Sequence, residues 1–236
     1  EFTRECLSID TARRLTSDRW SARFPSPVSL HPERDLTSPG RRPGMMAAMS
    51  SDLDEFSALV LARRTSLLVD PEREVPVDLV ERLCELAIWA PNHKRTWPWR
   101  FTLVTGDARA RLGEAFAQDQ IAAGRAADHP KVTKTRGKYL RAPAVLVVGS
   151  AADPSPDLHV ENRDTVAAAV EHILLGATAA GLASFWSSPA ALQNPAAQAF
   201  CGFEEDTDIV AVIYLGWPTG DVPVPERPGT GLRHIT

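Results

Sequence analysis

Cysteine is scarce in this chain, and long apolar runs are missing. The three cysteines, Cys6, Cys84 and Cys201, are an odd number without the spacing of metal ligands. A disulfide framework is therefore not expected, and the sequence favours a reducing compartment, the cytoplasm. No uninterrupted apolar run approaches the roughly 18 residues that a membrane-spanning helix needs. The N-terminal residues also lack the apolar core of a secretory signal.

Glycine-rich phosphate loops and the usual catalytic constellations are missing as well. No G-x-G-x-x-G follows a predicted strand and there is no P-loop, which disfavours a Rossmann or nucleoside triphosphatase fold. Ser-His-Asp and Cys-His arrangements have no local signature. The pairs at residues 159–161 and 171–172 offer two metal ligands each without a third, so no metal site is expected. Any bound phosphate must be held by side chains.

Neither sign of charge dominates. The 26 basic and 30 acidic residues leave a formal net charge of -4, which gives no reason to expect a nucleic acid or an anionic membrane as partner. A hydrophobic content of 44% with 24% charged residues is ordinary for a globular protein. The length suits one sizeable domain.

Residues 1–48 read as a disordered tail. They are rich in Arg, Ser and Pro, show no lasting apolar period and end in a Pro/Gly-rich turn at residues 39–44. The chain begins with Glu1, and its three methionines follow that turn. We therefore interpret residues 1–44 as vector-encoded or translated from upstream of the natural start. An Arg- and Ser-rich targeting peptide is the alternative, which the interspersed acidic residues oppose. Residues 49–236 then form a single domain.

Apolar periodicity predicts helices and strands in alternating order. Helices are expected from Ser51, from Pro76 to Pro91, after Asp107 and over roughly residues 162–180. Strands are expected at residues 99–103, 142–149, 183–186 and 209–215. This order indicates an α/β (α+β) sandwich in which one mixed sheet is flanked by helices on both faces.

The first basic cluster, Arg63-Arg64-Thr65, stands at the end of the first predicted helix. An arginine fork matches the oxygens of a phosphate in pairs, and a hydroxyl adds a short donor. A solvated helix C-terminus, where the helix dipole favours Arg, explains the same pattern. Spacing alone leaves both interpretations open.

The second basic cluster, residues 93–95, follows the helix that Pro91 ends and precedes Pro98-Trp99-Arg100-Phe101. A charged surface loop is the plain interpretation. Together with Arg-Arg-Thr, however, the block Ala-Pro-Asn-His-Lys…Pro-Trp-x-Phe resembles the nitroreductase family of FMN enzymes. Members carry Arg-Arg-Ser near the start and an Ala-Pro…Pro-Trp-x-Phe block after the next helix. The resemblance spans about residues 51–220 and is nearest to a compact subgroup with Ala-Pro-Asp/Asn-His-Lys.

The resemblance implies a nitroreductase-like homodimer with FMN at the subunit interface. Its members take a hydride from NADH or NADPH and pass it through bound flavin to a nitroaromatic, a quinone or a similar acceptor in a ping-pong mechanism. The chemistry belongs to the flavin, so no side-chain nucleophile or acid–base pair is needed. A non-catalytic FMN-binding or flavin-sequestering protein is the alternative. No nucleic acid, membrane or metal is implied.

The resemblance also assigns roles to residues. Arg63, Arg64 and Thr65 match the cluster that binds the FMN phosphate and ribityl chain, and Thr for Ser keeps the hydroxyl. His93 matches a residue at the flavin, where a cation beside the N1–C2=O edge stabilises the charge that reduction creates. Many relatives have Gln or Glu where this chain has Trp97, which offers a stacking surface instead.

Further candidates lie later in the chain. Trp186-Ser187-Ser188 match a Trp-Arg-Ser segment that lines the flavin near N5, although a buried Trp at a strand end is common in any core. Trp97, Trp99 and Trp186 are expected to wall an aromatic slot. A stretch of small residues permits close approach of the nicotinamide or, equally, simple helix–sheet packing: Gly176, Ala177, Thr178, Ala179, Ala180 and Gly181.

Two basic features near the end of the domain are less specific. Arg227 lies in a Pro/Gly-rich tail, where the family often has a basic residue on the phosphate. The basic run from Lys131 to Arg141 precedes a buried strand and is interpreted as a solvated face or a mobile cover.

Overall fold

Six α-helices and five strands make up the part of the chain that the computed structural model describes, residues 6–9 and 43–236. Short 3-10 turns lie at His93–Arg95 and Lys138–Arg141. The elements in chain order are β1 Cys6–Ile9, α1 Pro43–Ala62, α2 Val77–Ala87, β2 Trp99–Thr105, α3 Ala108–Ala122, α4 Pro130–Gly137, β3 Ala144–Ser150, α5 Pro156–Ala179, β4 Ala183–Ser187, α6 Pro195–Cys201 and β5 Asp208–Gly216.

The prediction of a disordered tail over residues 1–48 falls largely on residues 1–5 and 10–42, which lie outside the described residues. Within the described part of that range, β1 pairs with β2, and α1 begins at Pro43. Helix α5 also begins earlier than expected, at Pro156 rather than near Asn162. A proline at the first helical position with Asp157 in the first turn is a helix-start signal, and it adds residues 156–161 to the helix.

The five strands form one sheet in the order β1-β2-β3-β5-β4. The predicted sandwich of one sheet between helical layers is confirmed, but the predicted mixed sheet is wrong, because every pairing of these strands is antiparallel. The single helix α5 does make β3 and β4 run in the same direction, as a helical crossover usually does. Strand β5 lies between them and is antiparallel to both.

The two central strands are buried on both faces. Along β3, Leu146 and Val148 face α2 and α5, whereas Val145 and Val147 face α3 and α6. Each such fully buried aliphatic side chain contributes about 1.5–3 kcal/mol through removal from water. The register between β3 and β5 shifts between Val148 and Gly149, and every residue of β5 is buried. The sheet therefore gives the flanking helices a rigid base.

The predicted burial of two cysteines is confirmed: Cys84 and Cys201 are both buried. Burial, with Glu81 and Glu85 nearby, raises the pKa of the Cys84 thiol to about 12. Cys84 is therefore a protonated core side chain at neutral pH and unsuited to nucleophilic chemistry. Among the described residues, no helix is both long enough and apolar enough to cross a membrane.

Candidate functional site

The segment after α1 brings two predicted clusters together. Thr65 forms a parallel bridge with Ser184, and the Ser66 N–H donates to the Ser184 carbonyl at 2.9 Å. The Arg-Arg-Thr cluster therefore lies beside β4, and Trp186 follows two residues beyond Ser184 on the same face of that strand. We call Arg63, Arg64, Thr65, Ser184 and Trp186 the arginine half-site.

Three polar atoms of this half-site are buried without a hydrogen-bond partner among the described residues. They are Nε of Arg64, Oγ of Ser184 and Nε1 of Trp186. The rest of the Arg64 guanidinium donates through Nη1 to the carbonyls of Leu61 and Arg63 at the end of α1. Buried polar groups in folded proteins are nearly always paired. A cluster of unpaired donors beside two arginines therefore has the chemistry of a site for an oxygen-rich ligand.

Arg63 is held only loosely. Its Nε lies 3.8 Å from Oε1 of Glu171 on α5, and the glutamate side chain is 47% exposed. An exposed pair of this length contributes about 0–1 kcal/mol. An anion could therefore take over Arg63 at little cost.

A cavity of about 320 Å³ opens next to Arg64. Its lining combines the end of α1, Thr178 near the end of α5, and the segment after β5 that includes Asp221. The volume is at the small end of the range for ligand pockets, roughly 300–1,000 Å³. Because Asp221 places a carboxylate in the same cavity as Arg64, the cavity is polar but not strongly cationic.

The small-residue stretch divides between packing and the cavity. A Cβ on Gly176 would lie 2.8 Å from Cδ2 of Leu83, so this glycine lets α2 pack closely on α5. Ala177 is fully buried in the core. Gly181, with φ +77°, makes the turn that ends the helix. Of the remaining residues in the stretch, Thr178 lines the cavity.

The other late candidates differ in their surroundings. Ser187 ends β4, and Ser188 is exposed just beyond it. Arg227 is exposed in residues 217–236, which contain no helix or named strand. The described residues give it no hydrogen bond or ion pair to the arginine half-site. The basic run ending at Arg141 covers the opposite face of the sheet: Lys138 Nζ lies 4.7 Å from the Tyr139 ring centre, and burial lowers its pKa.

The loop at residues 92–97 presents His93 on the surface. Its Nδ1 lies 2.5 Å from Oε2 of Glu161 on α5, and the His93 side chain is 60% exposed. A carboxylate only accepts hydrogen bonds, so Nδ1 carries the hydrogen and Nε2 points away from Glu161. We call residues 92–97 with Glu161 and Asn162 the histidine half-site.

The backbone of this loop is strained. Lys94, Arg95 and Trp97 have φ values of 54°, 55° and 50°, in the left-handed region that favours glycine. The side chains of Asn92, Thr96 and Asn162 hydrogen-bond one another across the loop. Sequence reasoning missed Thr96, Glu161 and Asn162 because their pairings span 66 to 68 residues. Asn162 already stands at the start of the predicted helix, and the helix-start signal at Pro156 and Asp157 places Glu161 on it as well.

The predicted aromatic slot does not form within one chain. Trp99 is 3% exposed and belongs to the core, although its ring centre lies 5.7 Å from that of Trp97. At about 4.8 Å per strand and about 3.3 Å per residue, the strand registers put Trp99 on the order of 20 Å from Trp186. Of the three tryptophans expected to wall the slot, Trp97 and Trp186 are accessible enough to contact a ligand and Trp99 is not.

The two half-sites also meet different parts of α5. Glu161, the partner of His93, and Glu171, the partner of Arg63, are ten residues apart on this helix. At about 1.5 Å per residue this is about 15 Å along the axis. One copy of the chain therefore presents both half-sites, but apart from each other.

Comparison with known proteins identifies relatives over this same region. A family model described as Nitroreductase family matches residues 60–217. The Escherichia coli (strain K12) protein YdjA, named as a candidate NAD(P)H nitroreductase, is 28% identical over 168 residues, which are 70% of this chain and 89% of YdjA. The match thus includes both half-sites.

Solved structures share the architecture. A nitroreductase-like family protein from Bacillus cereus has a TM-score of 0.64 at 26% identity, covering 76% of this chain and 95% of that protein. The FMN-dependent nitroreductase NfnB from Mycobacterium smegmatis, solved in complex with NADPH, has a TM-score of 0.60 at 20% identity, covering 78% and 99%. The second likeness concerns the fold alone.

Proposed function

The chain belongs to the nitroreductase family, and from that premise we propose that it is an FMN-dependent NAD(P)H oxidoreductase of the nitroreductase type. Bound FMN would supply the redox chemistry, taking a hydride from NADH or NADPH and giving it to a second substrate. The observation that carries the proposal is the arginine half-site, where buried unpaired donors lie beside two arginines. Of the relatives named above, YdjA is named as a candidate NAD(P)H nitroreductase, and NfnB is named as an FMN-dependent nitroreductase.

The residues of the arginine half-site fit the phosphate and ribityl parts of FMN. Arg63 and Arg64 would donate to phosphate oxygens, and Thr65 would add its hydroxyl. Trp186, Ser187 and Ser188 continue along β4 and would border the ring. Arg227 is a third candidate cation for the phosphate, since its guanidinium is exposed on the segment that also borders the cavity.

Two copies of the chain would build each site. One copy holds its half-sites about 15–20 Å apart, so the His93 loop of one subunit would complete the arginine half-site of the other. An apolar face supports this homodimer: Leu53, Phe56 and Val60 are exposed at helical spacing on α1. Exposed apolar patches of this kind are typical of protein interfaces.

His93 would act on the cofactor through Nε2, because Glu161 holds Nδ1. As an imidazolium it would donate a hydrogen bond and place positive charge next to the ring, and Glu161 fixes the orientation of the imidazole. NAD(P)H and the acceptor, a nitroaromatic, a quinone or a similar flat molecule, would occupy the same place in turn, as in a ping-pong mechanism. A cytoplasmic location is part of the proposal, since Cys84 is a free thiol.

A visible absorption spectrum of the purified, dialysed protein, before and after addition of FMN, tests the cofactor. We expect flavin bands at near one FMN per subunit. Arg63→Ala/Arg64→Ala should weaken FMN binding by about 100-fold or more, because charge-assisted hydrogen bonds contribute about 1.5–3 kcal/mol each. Lys131→Ala/Lys134→Ala removes two exposed cations elsewhere and should leave binding unchanged. A protein that stays colourless with added FMN contradicts the proposal.

Reduction by NAD(P)H under argon distinguishes an oxidoreductase from a non-catalytic FMN-binding protein. An oxidoreductase should be bleached by NADH or NADPH within the mixing time of a bench experiment and recover its colour when a quinone or nitroaromatic is added. The alternative, a non-catalytic FMN-binding or flavin-sequestering protein, retains FMN but bleaches no faster than free FMN.

A further inference from the structure

The backbone of Trp97 is fixed from two sides. Its N–H donates to Oδ1 of Asn92 at 2.9 Å, and its carbonyl accepts from Nη1 of Arg100 at 3.4 Å. The φ value of 50° is one that a bulky side chain rarely adopts. Non-glycine residues keep a left-handed backbone conformation where several surrounding contacts hold them in it, and such residues cluster at functional sites.

Asn92 closes the loop into a ring. Besides accepting from Trp97, its side chain donates through Nδ2 to Oγ1 of Thr96 at 2.9 Å. The backbone bond from the Arg95 N–H to the Asn92 carbonyl, at 3.4 Å, completes the ring. Lys94 and Arg95 lie inside it, so closure of the ring and their left-handed conformation occur together.

Asn162 ties this ring to the core. The Thr96 hydroxyl donates to Oδ1 of Asn162 at 2.5 Å, and Nδ2 of Asn162 faces the Ala151 carbonyl at 3.5 Å. Asn162 is 3% exposed and sits on α5, which packs on the sheet. Its side chain therefore cannot follow a moving loop, and the loop takes its position from the helix.

The side chain that this arrangement presents is aromatic. Trp97 is 45% exposed, and one side of its ring leans on the buried Trp99 at an interplanar angle of 57°. A large apolar ring held on a fixed backbone loses little entropy when a ligand stacks on it. The hydrogen bonds of Asn92, Thr96 and Asn162 fix the loop that carries Trp97, which distinguishes it from a mobile surface tryptophan.

We propose that Trp97 selects flat aromatic or quinoid acceptors, and that Asn92, Thr96 and Asn162 are positioning residues that hold it for this purpose. The proposal rests on the proposed function, because it presupposes that an acceptor approaches the flavin beside the histidine half-site. In this proposal Trp97 contacts the acceptor, and the three polar side chains fix the conformation of residues 92–97.

Thr96 offers a matched pair of variants. Thr96→Val removes the hydroxyl that joins Asn92 to Asn162 at nearly constant volume, whereas Thr96→Ser keeps it. In the FMN-free protein, we expect amide hydrogen exchange of residues 92–101 to quicken about tenfold in Thr96→Val and to stay unchanged in Thr96→Ser. This readout needs neither FMN nor turnover. Equal exchange in the two variants would overturn the positioning role.

A glycine test separates strain from general loosening. In the Thr96→Val background, Lys94→Gly should slow exchange of the loop again, because glycine adopts φ near 54° without strain. Lys94→Ala removes the same charge and should not rescue. If glycine instead quickens exchange, as its flexibility ordinarily would, the loop is not held against strain and the proposal fails.

Acceptor kinetics test the selection itself in the FMN-loaded protein. Trp97→Leu and Thr96→Val should each raise KM for menadione or nitrofurazone about tenfold, with little change in kcat and in FMN content. Ferricyanide, which does not stack, should be reduced at an unchanged rate. An equal loss with ferricyanide, or no change in KM, would overturn the selection. If even the parent protein binds no FMN, the proposed function fails, while hydrogen exchange still decides the role of Thr96.

Discussion

The arginine half-site and the histidine half-site both contact α5 but differ in how their polar side chains are paired. Among the described residues, the donors of Arg64, Ser184 and Trp186 in the arginine half-site have no partner, and Arg63 has an ion pair at 3.8 Å. The histidine half-site instead pairs Asn92 with Thr96, Thr96 with Asn162 and His93 with Glu161, and its backbone is strained at Lys94, Arg95 and Trp97. In the proposed function a ligand would pair the donors of the arginine half-site, whereas the hydrogen bonds that hold the histidine half-site are already formed without one.

The difference follows from what each region binds in the proposed function. A phosphate supplies acceptor oxygens. Donors that are unpaired in the free protein can therefore form hydrogen bonds when it binds, which offsets the free-energy cost of their desolvation. An acceptor that visits briefly brings little binding energy, so the surface that receives it must be ordered in advance. The contrast predicts that substitutions in the arginine half-site change ligand affinity, whereas substitutions in the histidine half-site change the stability of the ligand-free protein.

The largest expected effect concerns stability without ligand. Asn162→Ala removes the acceptor of the Thr96 hydroxyl and leaves a buried polar group unpaired, so we expect the free energy of unfolding to fall by about 1–3 kcal/mol. Arg64→Ala should change it by no more than about 0.5 kcal/mol, because it removes a partly exposed side chain whose buried Nε has no partner among the described residues. Urea unfolding of both FMN-free proteins measures this. An equal loss from the two variants would erase the contrast.

A smaller effect has the opposite sign. Glu171→Gln frees Arg63 from its only ion pair among the described residues and removes a negative charge next to the proposed phosphate site. FMN binding should then tighten, by roughly twofold to fivefold for an exposed pair. Fluorescence titration with FMN tests this, with Glu114→Gln on the other face of the sheet as control. Weaker binding would mean that Glu171 holds Arg63 in the orientation that the ligand needs.

The smallest effect is a pH dependence beside the loop. Arg100 donates to the Trp97 and Trp99 carbonyls and to Glu204, and this hydrogen bond lowers the pKa of Glu204 from its usual 4.5. A lowered pKa gives stability that is present above about pH 4.5 and is lost as the pH falls below it. Because Glu204 is half exposed, the contribution stays below about 1 kcal/mol.

Melting temperatures between pH 6 and pH 3 test this dependence. The difference between the parent protein and Arg100→Gln should be constant above about pH 5 and shrink below it. Arg82→Gln, an exposed arginine on α2, should show no such trend. A difference that persists at pH 3 would mean that Arg100 acts on the carbonyls alone.

Sequence patterns were sufficient for the features that repeat or that stand at element ends. The apolar run of β3, the stripe of α2 and the basic cluster after α1 all have periodic or positional signatures, and each lies in the expected kind of element. Trp99 shows the limit: a Pro-Trp before a strand does not say whether the ring faces solvent or core, and here it is core. The strand directions also failed, since alternation of helices and strands cannot reveal that β5 inserts between β3 and β4.

The side-chain network around Thr96 could not have been predicted. Asn92, Thr96 and Asn162 are ordinary polar residues, and nothing local distinguishes them from loop and helix-surface positions. Their roles come from a loop docking on a helix 66 residues away, which only the packed fold specifies. The unpaired atoms of Ser184 and Trp186 are hidden for the same reason, because pairing depends on the segment that bridges to β4.

The place of β5 in the sheet has a consequence for how the protein is made. This strand comes last among the described strands yet supplies the hydrogen-bonding partners of both β3 and β4. During synthesis the edges of β3 and β4 that pair with β5 therefore stay unpaired until residues 208–216 leave the ribosome. Such late, long-range pairing is slow, and open strand edges attract other chains. We therefore expect nascent chains halted before residue 208 to expose unpaired strand edges of the kind that chaperones cover.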